Sequence, residues 1–151
     1  MKKWTKEIEI NAPIEQVWEL FNGSLENMQK IMPQVIMNTP IKLTENQIGS
    51  IYRQQYKERN RIQEYDVETL DYIDSPAHKC LQVGFSLAKM FEITAFYELF
   101  KVSDHTTKFK YIVTNQALGV LGQLFLAFST DKIVIKFVEK VKEVSESPES
   151  H

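Results

Sequence analysis

The stretch that decides the fold is EIEINAPIEQVWELF, residues 7–21, in which a strand pattern changes into a helix pattern at one break. Ile8 and Ile10 alternate with glutamates, and this period of two is typical of a half-buried strand. Pro13 suits the first turn of a helix, where its missing N–H leaves no bond unmade. The apolar residues after it recur at helical spacing. The stretch therefore predicts a strand that leads directly into an amphipathic helix.

Outward from this stretch, the chain predicts one more short helix, six strands and a last helix. Ser24 can cap a helix over residues 25–31, which Pro33 closes. Six extended segments follow near residues 35–43, 50–59, 62–74, 77–89, 91–103 and 106–115. Their short, regular spacing indicates consecutive antiparallel hairpins. Residues 117–144 end in an apolar stripe at helical spacing, which predicts a long C-terminal helix.

This order, β-α-α-β6-α, predicts an α+β fold in which a curved antiparallel sheet wraps around the long C-terminal helix. The length of 151 residues, with 43% hydrophobic and 25% charged residues, favours one globular domain. We expect that domain to span residues 1–145, with residues 146–151 as a polar flexible tail.

Composition narrows the partners and the location. A net charge of −2 disfavours a nucleic-acid partner, which would require a basic surplus. The apolar run 117–128 is too short to span a bilayer, so no stable membrane insertion is expected. The single cysteine, Cys80, cannot form an internal disulfide and is consistent with a cytoplasmic location. One cysteine and three scattered histidines give no metal-ligand spacing, and neither a metal nor a cofactor is predicted. The oligomeric state is left open.

The opening stretch, Glu7–Phe21, resembles the start of the START/Bet v 1-like superfamily (SRPBCC), also called polyketide cyclase/dehydrase-like. In that family a first strand leads into Ala-Pro and a helix that carries Val-Trp and an aromatic residue. Ile48–Arg53 and Leu118–Leu124 resemble two glycine-bearing segments of the same family. The resemblance implies a helix-grip fold with a hydrophobic cavity for lipids, sterols or polyketides. It does not fix an activity, because this fold hosts carriers, sensors, cyclases and chaperone activators.

The expected function is therefore binding of a hydrophobic small molecule, as a carrier or sensor. Inward-facing tyrosines would supply apolar rings and single hydroxyls suited to orienting such a ligand, although plain core packing would use the same residues. The candidate ligand-binding residues are Tyr52, Tyr56, Tyr65, His78, Tyr97, Phe109, Tyr111, Asn115, Leu121 and Phe125.

Two other functions stay open. A cyclase or dehydratase would need an inward acid–base group, and His78 and Glu98 are the two appealing candidates. The alternation around Glu98 favours an outward side chain, and neither residue has an evident partner, so the residues favour a binder over an enzyme. An interaction protein or chaperone cofactor would have a filled cavity, and a volume below about 300 Å³ would favour it.

Overall fold

The computed structural model describes residues 1–87, 90–119 and 131–147. Its first elements are β1 (Lys2–Ile10), α1 (Ile14–Asn22) and α2 (Leu25–Ile31). Six strands follow, namely β2 (Val35–Lys42), β3 (Ile51–Glu58), β4 (Arg61–Asp74), β5 (His78–Leu87), β6 (Phe91–Ser103) and β7 (Thr106–Ala117). The last described element is α3 (Lys132–Glu146). The predicted α+β order is confirmed.

The seven strands form one antiparallel sheet in the order β1-β7-β6-β5-β4-β3-β2. Strands β2 to β7 pair with their sequence neighbours, as the regular turn spacing predicts. Strand β1 forms one edge of the sheet and pairs with β7. The concave face of this sheet carries the helices: α3 contacts β1 and β7, and α1 contacts β6 and β7. No helix within the described ranges is long and apolar enough to cross a membrane.

The last helix differs from the prediction at both ends. Strand β7 continues through Ala117, so the chain is still extended where a helix was expected to begin. Residues 120–130 lie outside the described residues. Helix α3 continues to Glu146, whose carboxylate accepts a hydrogen bond from the backbone N–H of Asn11 at 2.7 Å. Residue 146, expected in the tail, is thus bound to the domain. The apolar stripe of α3, including Val138 and Val141, is buried.

A bulge in β4 decides which side chains face the concave side. Thr69 pairs with Val83, but Asp71 pairs with Gln82, so Leu70 is the extra residue. An extra residue in one strand reverses the facing of every side chain after it. Tyr72 consequently pairs with Leu81 and joins the concave face.

Helix α1 is fastened to the sheet by a buried lysine on β5. The Lys79 side chain is 2% exposed, and its ammonium donates to the carboxylates of Asp74 and, at 3.0 Å, Glu15. The same ammonium lies 5.8 Å from the centroid of a Trp18 ring. Because Glu15 and Trp18 belong to α1, these contacts fix that helix over the end of β4 and the start of β5.

Candidate ligand-binding cavity

A cavity of about 430 Å³ lies between the concave face of the sheet and the helices. This volume falls within the range of small-molecule pockets in proteins and above the size that a filled cavity would leave. Strands β2 to β7 supply most of its wall. The helices contribute mainly apolar residues, among them Leu20, Phe21, Met28, Ile31, Ile133 and Phe137.

All six tyrosines of the chain line this cavity: Tyr52, Tyr56, Tyr65, Tyr72, Tyr97 and Tyr111. Tyr97 and Tyr111 are directly opposite on β6 and β7, and their rings stack with centroids 5.4 Å apart. Tyr65 stacks on Phe85 with centroids 5.0 Å apart. The wall therefore offers flat ring faces to an apolar molecule, with phenol hydroxyls as its polar points.

Three of these phenols, those of Tyr65, Tyr97 and Tyr111, stay protonated at neutral pH. Burial raises the pKa of Tyr65 and of Tyr111 to about 12. The pKa of Tyr97 lies well above its ordinary value for the same reason, because ionisation would leave a charge in a desolvated site. A protonated phenol both donates and accepts a hydrogen bond. Tyr65, Tyr97 and Tyr111 can therefore orient a ligand, but they do not remove protons from it near neutral pH.

Thr69 and five carboxamide side chains supply the rest of the described polar lining, the carboxamides being Asn22, Gln34, Asn38, Gln47 and Gln54. Gln54 Nε2 donates to Asn38 Oδ1 at 3.1 Å across β3 and β2. None of the described residues in the lining carries a charged side chain. An ionised ligand group would therefore be buried here without a counter-charge, which is costly, whereas neutral polar groups find partners.

Five of the ten residues predicted from the sequence lie in this lining: Tyr52, Tyr56, Tyr65, Tyr97 and Tyr111. Phe109 is fully buried beneath the wall and packs on Phe21, with ring centroids 5.5 Å apart. Asn115 is also outside the lining, and its buried Oδ1 has no hydrogen-bond partner in the described part of the chain. Of the three remaining residues, Leu121 and Phe125 lie outside the described residues, and the third is His78.

His78 is not on the cavity side, which corrects its placement in the predicted site. It pairs with Phe100 on the convex face, stacks on that ring with centroids 4.8 Å apart, and places Nε2 2.7 Å from Glu98 Oε2. Glu98 thus faces outward, as the alternation favours, but its side chain is only 16% exposed. The two acid–base candidates do have a partner, each other, and the sheet separates that pair from the cavity.

Beside this pair, Cys80 lies on the same convex face. Burial, with smaller contributions from Asp71 and Glu98, raises the pKa of its thiol to about 12, so it stays a thiol. Among the described residues, no three His, Cys, Asp or Glu side chains converge as a metal site would require.

Sequence reasoning missed Tyr72, Asn38 and Gln54. Strict alternation from Tyr65 places Tyr72 on the convex face, and only the bulge at Leu70 brings it to the concave one. Gln54 could have been found, because it lies between Tyr52 and Tyr56 on the same face of the strand.

No family model matches the sequence, and no curated protein matches it closely enough to serve as a relative. Solved structures do match. The di-domain ARO/CYC BexL from the BE-7585A biosynthetic pathway has a TM-score of 0.73 at 15% identity over 95% of this chain. The match covers 46% of BexL, so the chain spans about half the length of that protein.

Two further structures match over most of both chains. The Zhui aromatase/cyclase from Streptomyces sp. R1128 has a TM-score of 0.73 at 12% identity, over 96% of this chain and 93% of that one. Norcoclaurine synthase from Thalictrum flavum, solved in complex with dopamine and hydroxybenzaldehyde, has a TM-score of 0.64 at 10% identity, over 95% and 85%. At such low identities the likeness is one of fold: the chain has the START/Bet v 1-like helix-grip fold.

Proposed function

We propose that the chain binds a neutral, largely apolar small molecule in this cavity and serves as its carrier or sensor. One observation carries the proposal: six tyrosines line a cavity of about 430 Å³ whose described lining is otherwise apolar or uncharged polar. Apolar contact drives binding into such a site, while a few neutral hydrogen-bonding groups orient the ligand.

The ring faces favour a ligand that is itself flat. The pairs Tyr65–Phe85 and Tyr97–Tyr111 present stacked aromatic surfaces, on which another ring system packs better than a flexible chain. Polyketide-like molecules therefore suit the wall better than acyl lipids. Norcoclaurine synthase, whose structure contains dopamine and hydroxybenzaldehyde, supports the proposal as a protein of the same fold with small aromatic ligands.

A cyclase or dehydratase is the second candidate, because two of the similar structures are aromatase/cyclases. Such a reaction needs a group that exchanges protons near neutral pH. The described lining offers phenols and carboxamides, and the pair His78–Glu98 lies on the other face of the sheet. The described lining therefore supports binding better than acid–base catalysis.

A matched pair of variants tests the proposal. Val83→Trp adds a large ring inside the cavity, whereas Gln82→Trp adds it one residue away on the convex face. We expect wild type and Gln82→Trp to bind the neutral probe 2-acetonaphthone in calorimetric titration, and Val83→Trp to bind it at least about tenfold more weakly. Native mass spectrometry of protein purified from cells should likewise show a co-purified molecule on the first two only.

Thermal melting by circular dichroism verifies that both variants are folded. Equal affinity of the two folded variants, or no probe binding by wild type, would contradict the proposed function. If Val83→Trp does not fold, Val67→Phe is the smaller cavity-filling substitution, because Val67 also lines the cavity.

A further inference from the structure

One pair of side chains in the cavity differs from the rest of the wall. Asn38 and Gln54 are opposite each other on β2 and β3, and both line the cavity. Gln54 Nε2 donates to Asn38 Oδ1 at 3.1 Å. A carboxamide has two N–H donors and one carbonyl acceptor, so this bond leaves the Asn38 amide N–H groups and the Gln54 carbonyl available side by side.

We propose that this amide pair binds the polar head of the ligand, and that the head is an uncharged group of the primary-carboxamide type. Such a head accepts a hydrogen bond from Asn38 Nδ2 and donates one to Gln54 Oε1, so it matches both free groups at once. This inference rests on the proposed function, because it names the chemical class of the ligand in the same cavity.

The neighbouring residues place the ligand body as well as its head. Gln54 is in register with Tyr65 on β4, and neighbouring strands lie about 4.8 Å apart. Tyr65 in turn stacks on Phe85. A head held between Asn38 and Gln54 therefore leaves a flat apolar body over the Tyr65 and Phe85 rings, about one strand spacing away.

The charges around the pair exclude an ionised head. The nearest charged residue along β3 is Arg53, which alternation directs to the convex face, where its Nε lies 2.9 Å from Asp66 Oδ1. Within the described lining of the cavity, no side chain carries a charge that could neutralise a carboxylate or an ammonium. An ionised head would lose its hydration without an ionic partner, whereas a carboxamide exchanges water for the two side chains.

Three probes with one naphthalene body test the head directly: 2-naphthamide, 2-acetonaphthone and 2-naphthoate. The first donates and accepts, the second only accepts, and the third is charged. In calorimetric titrations of wild type we expect 2-naphthamide to bind about tenfold more tightly than 2-acetonaphthone, as one added hydrogen bond permits. We expect 2-naphthoate to bind the most weakly of the three.

The matched variants are Gln54→Leu and Gln55→Leu. Gln55 is the next residue on β3, and its side chain donates to Glu64 at 2.9 Å on the opposite face. Gln54→Leu should abolish the preference for 2-naphthamide while changing the affinity for 2-acetonaphthone by less than about twofold. Gln55→Leu should preserve the preference. Asn38→Leu removes the N–H from which both neutral heads accept, so it should weaken both neutral probes by a similar factor and preserve the preference. Gln54→Met replaces Gln54→Leu if that variant does not fold.

The outcomes separate this inference from the function on which it rests. If 2-acetonaphthone binds and 2-naphthamide binds no better, or if the preference survives in Gln54→Leu, or if Asn38→Leu weakens neither neutral probe, the amide pair does not bind the head and the cavity proposal stands. If neither neutral naphthalene binds folded wild type, the proposed function itself fails. Tightest binding of 2-naphthoate would overturn the argument from missing charge, and with it both proposals.

Discussion

The buried ammonium of Lys79 leads to an asymmetric prediction: removal of its two anionic partners destabilises the protein far more than removal of the ammonium. The Lys79 side chain is 2% exposed, whereas those of Asp74 and Glu15 are 41% and 67% exposed. The carboxylates can therefore return to water when the lysine is replaced. The ammonium cannot do so when the carboxylates are replaced.

The magnitudes follow from these exposures. Lys79→Met retains an unbranched apolar stem against Trp18 and leaves two hydrated carboxylates, so we expect a loss of about 1 kcal/mol or less. The double variant Asp74→Asn/Glu15→Gln leaves a buried charge without compensation, which costs about 3–5 kcal/mol. Proton release sets the upper limit, because neutralising a lysine of pKa 10.5 at pH 7 costs about 5 kcal/mol.

The pH dependence of stability provides a second, independent test of this asymmetry. In wild type, burial lowers the pKa of Lys79, but hydrogen bonds to Asp74 and Glu15 raise it further, and the net pKa lies above 10.5. That contribution to stability is present below pH 10.5 and is lost as the pH rises past the folded pKa. In the double variant the contact with Trp18 remains, but burial is the larger effect, so the folded pKa lies below the unfolded one. The folded state then binds fewer protons, and the stability of the variant rises with pH up to 10.5.

The assay is urea unfolding followed by circular dichroism at pH 7 and pH 9. We expect the deficit of the double variant to shrink by as much as about 2.7 kcal/mol between these two values, and that of Lys79→Met to stay constant. Lys101→Met is the control, because Lys101 forms an exposed pair with Asp104 at 3.3 Å and should change stability by less than about 1 kcal/mol. A loss in Lys79→Met as large as in the double variant would refute the reasoning.

Two further predictions concern the cavity. Because burial holds the pKa of Tyr65 and Tyr111 near 12, these residues should ionise at higher pH in native protein than in urea, as measured by ultraviolet titration. The stability of the fold should fall as the pH rises from 10 toward 12, since these tyrosines ionise there only in the unfolded chain. Coincident native and unfolded titration curves would contradict this. His78→Ala should leave the calorimetric affinity for 2-acetonaphthone within about twofold of wild type, because His78 lies across the sheet from the cavity. A larger loss in the folded variant would place His78 in the ligand site.

The element order could be predicted because its signals are local. Pro13 precedes α1, and Ser24 caps α2 by accepting a hydrogen bond from the backbone N–H of Asn27 at 3.2 Å. Each of these signals depends on chemistry within a few residues, which the sequence displays directly. The strand boundaries followed from turn residues in the same way. The exception is the start of the last helix, where β7 runs on through Ala117 because that residue pairs with Phe91, the first residue of β6.

The site was predicted less completely, because the face of the sheet that a side chain occupies depends on distant residues. Alternation relates His78 correctly to Cys80, but it does not say which of two faces is concave. On β5 the apolar residues Leu81, Val83 and Phe85 share one face of the strand. The first position on that same face is occupied by Lys79. A lysine at an inward position hides the pattern, and only Asp74 and Glu15, from other elements, make that position tolerable. The convex placement of His78 follows from contacts that no local window contains.

A one-residue shift in the register of β6 would turn this binding cavity into a potentially catalytic one. Glu98 lies between Tyr97 and Leu99, both of which are buried on the concave side, and its carboxylate pairs with His78 on the convex side. A bulge in β6 of the kind that β4 has at Leu70 would exchange a phenol for a carboxylate in the cavity wall. The chain instead keeps a regular register from Phe91 to Lys101, so the cavity receives neutral hydroxyls and the acid–base pair stays outside. The chemistry available to a ligand is thus decided by strand register as much as by residue identity.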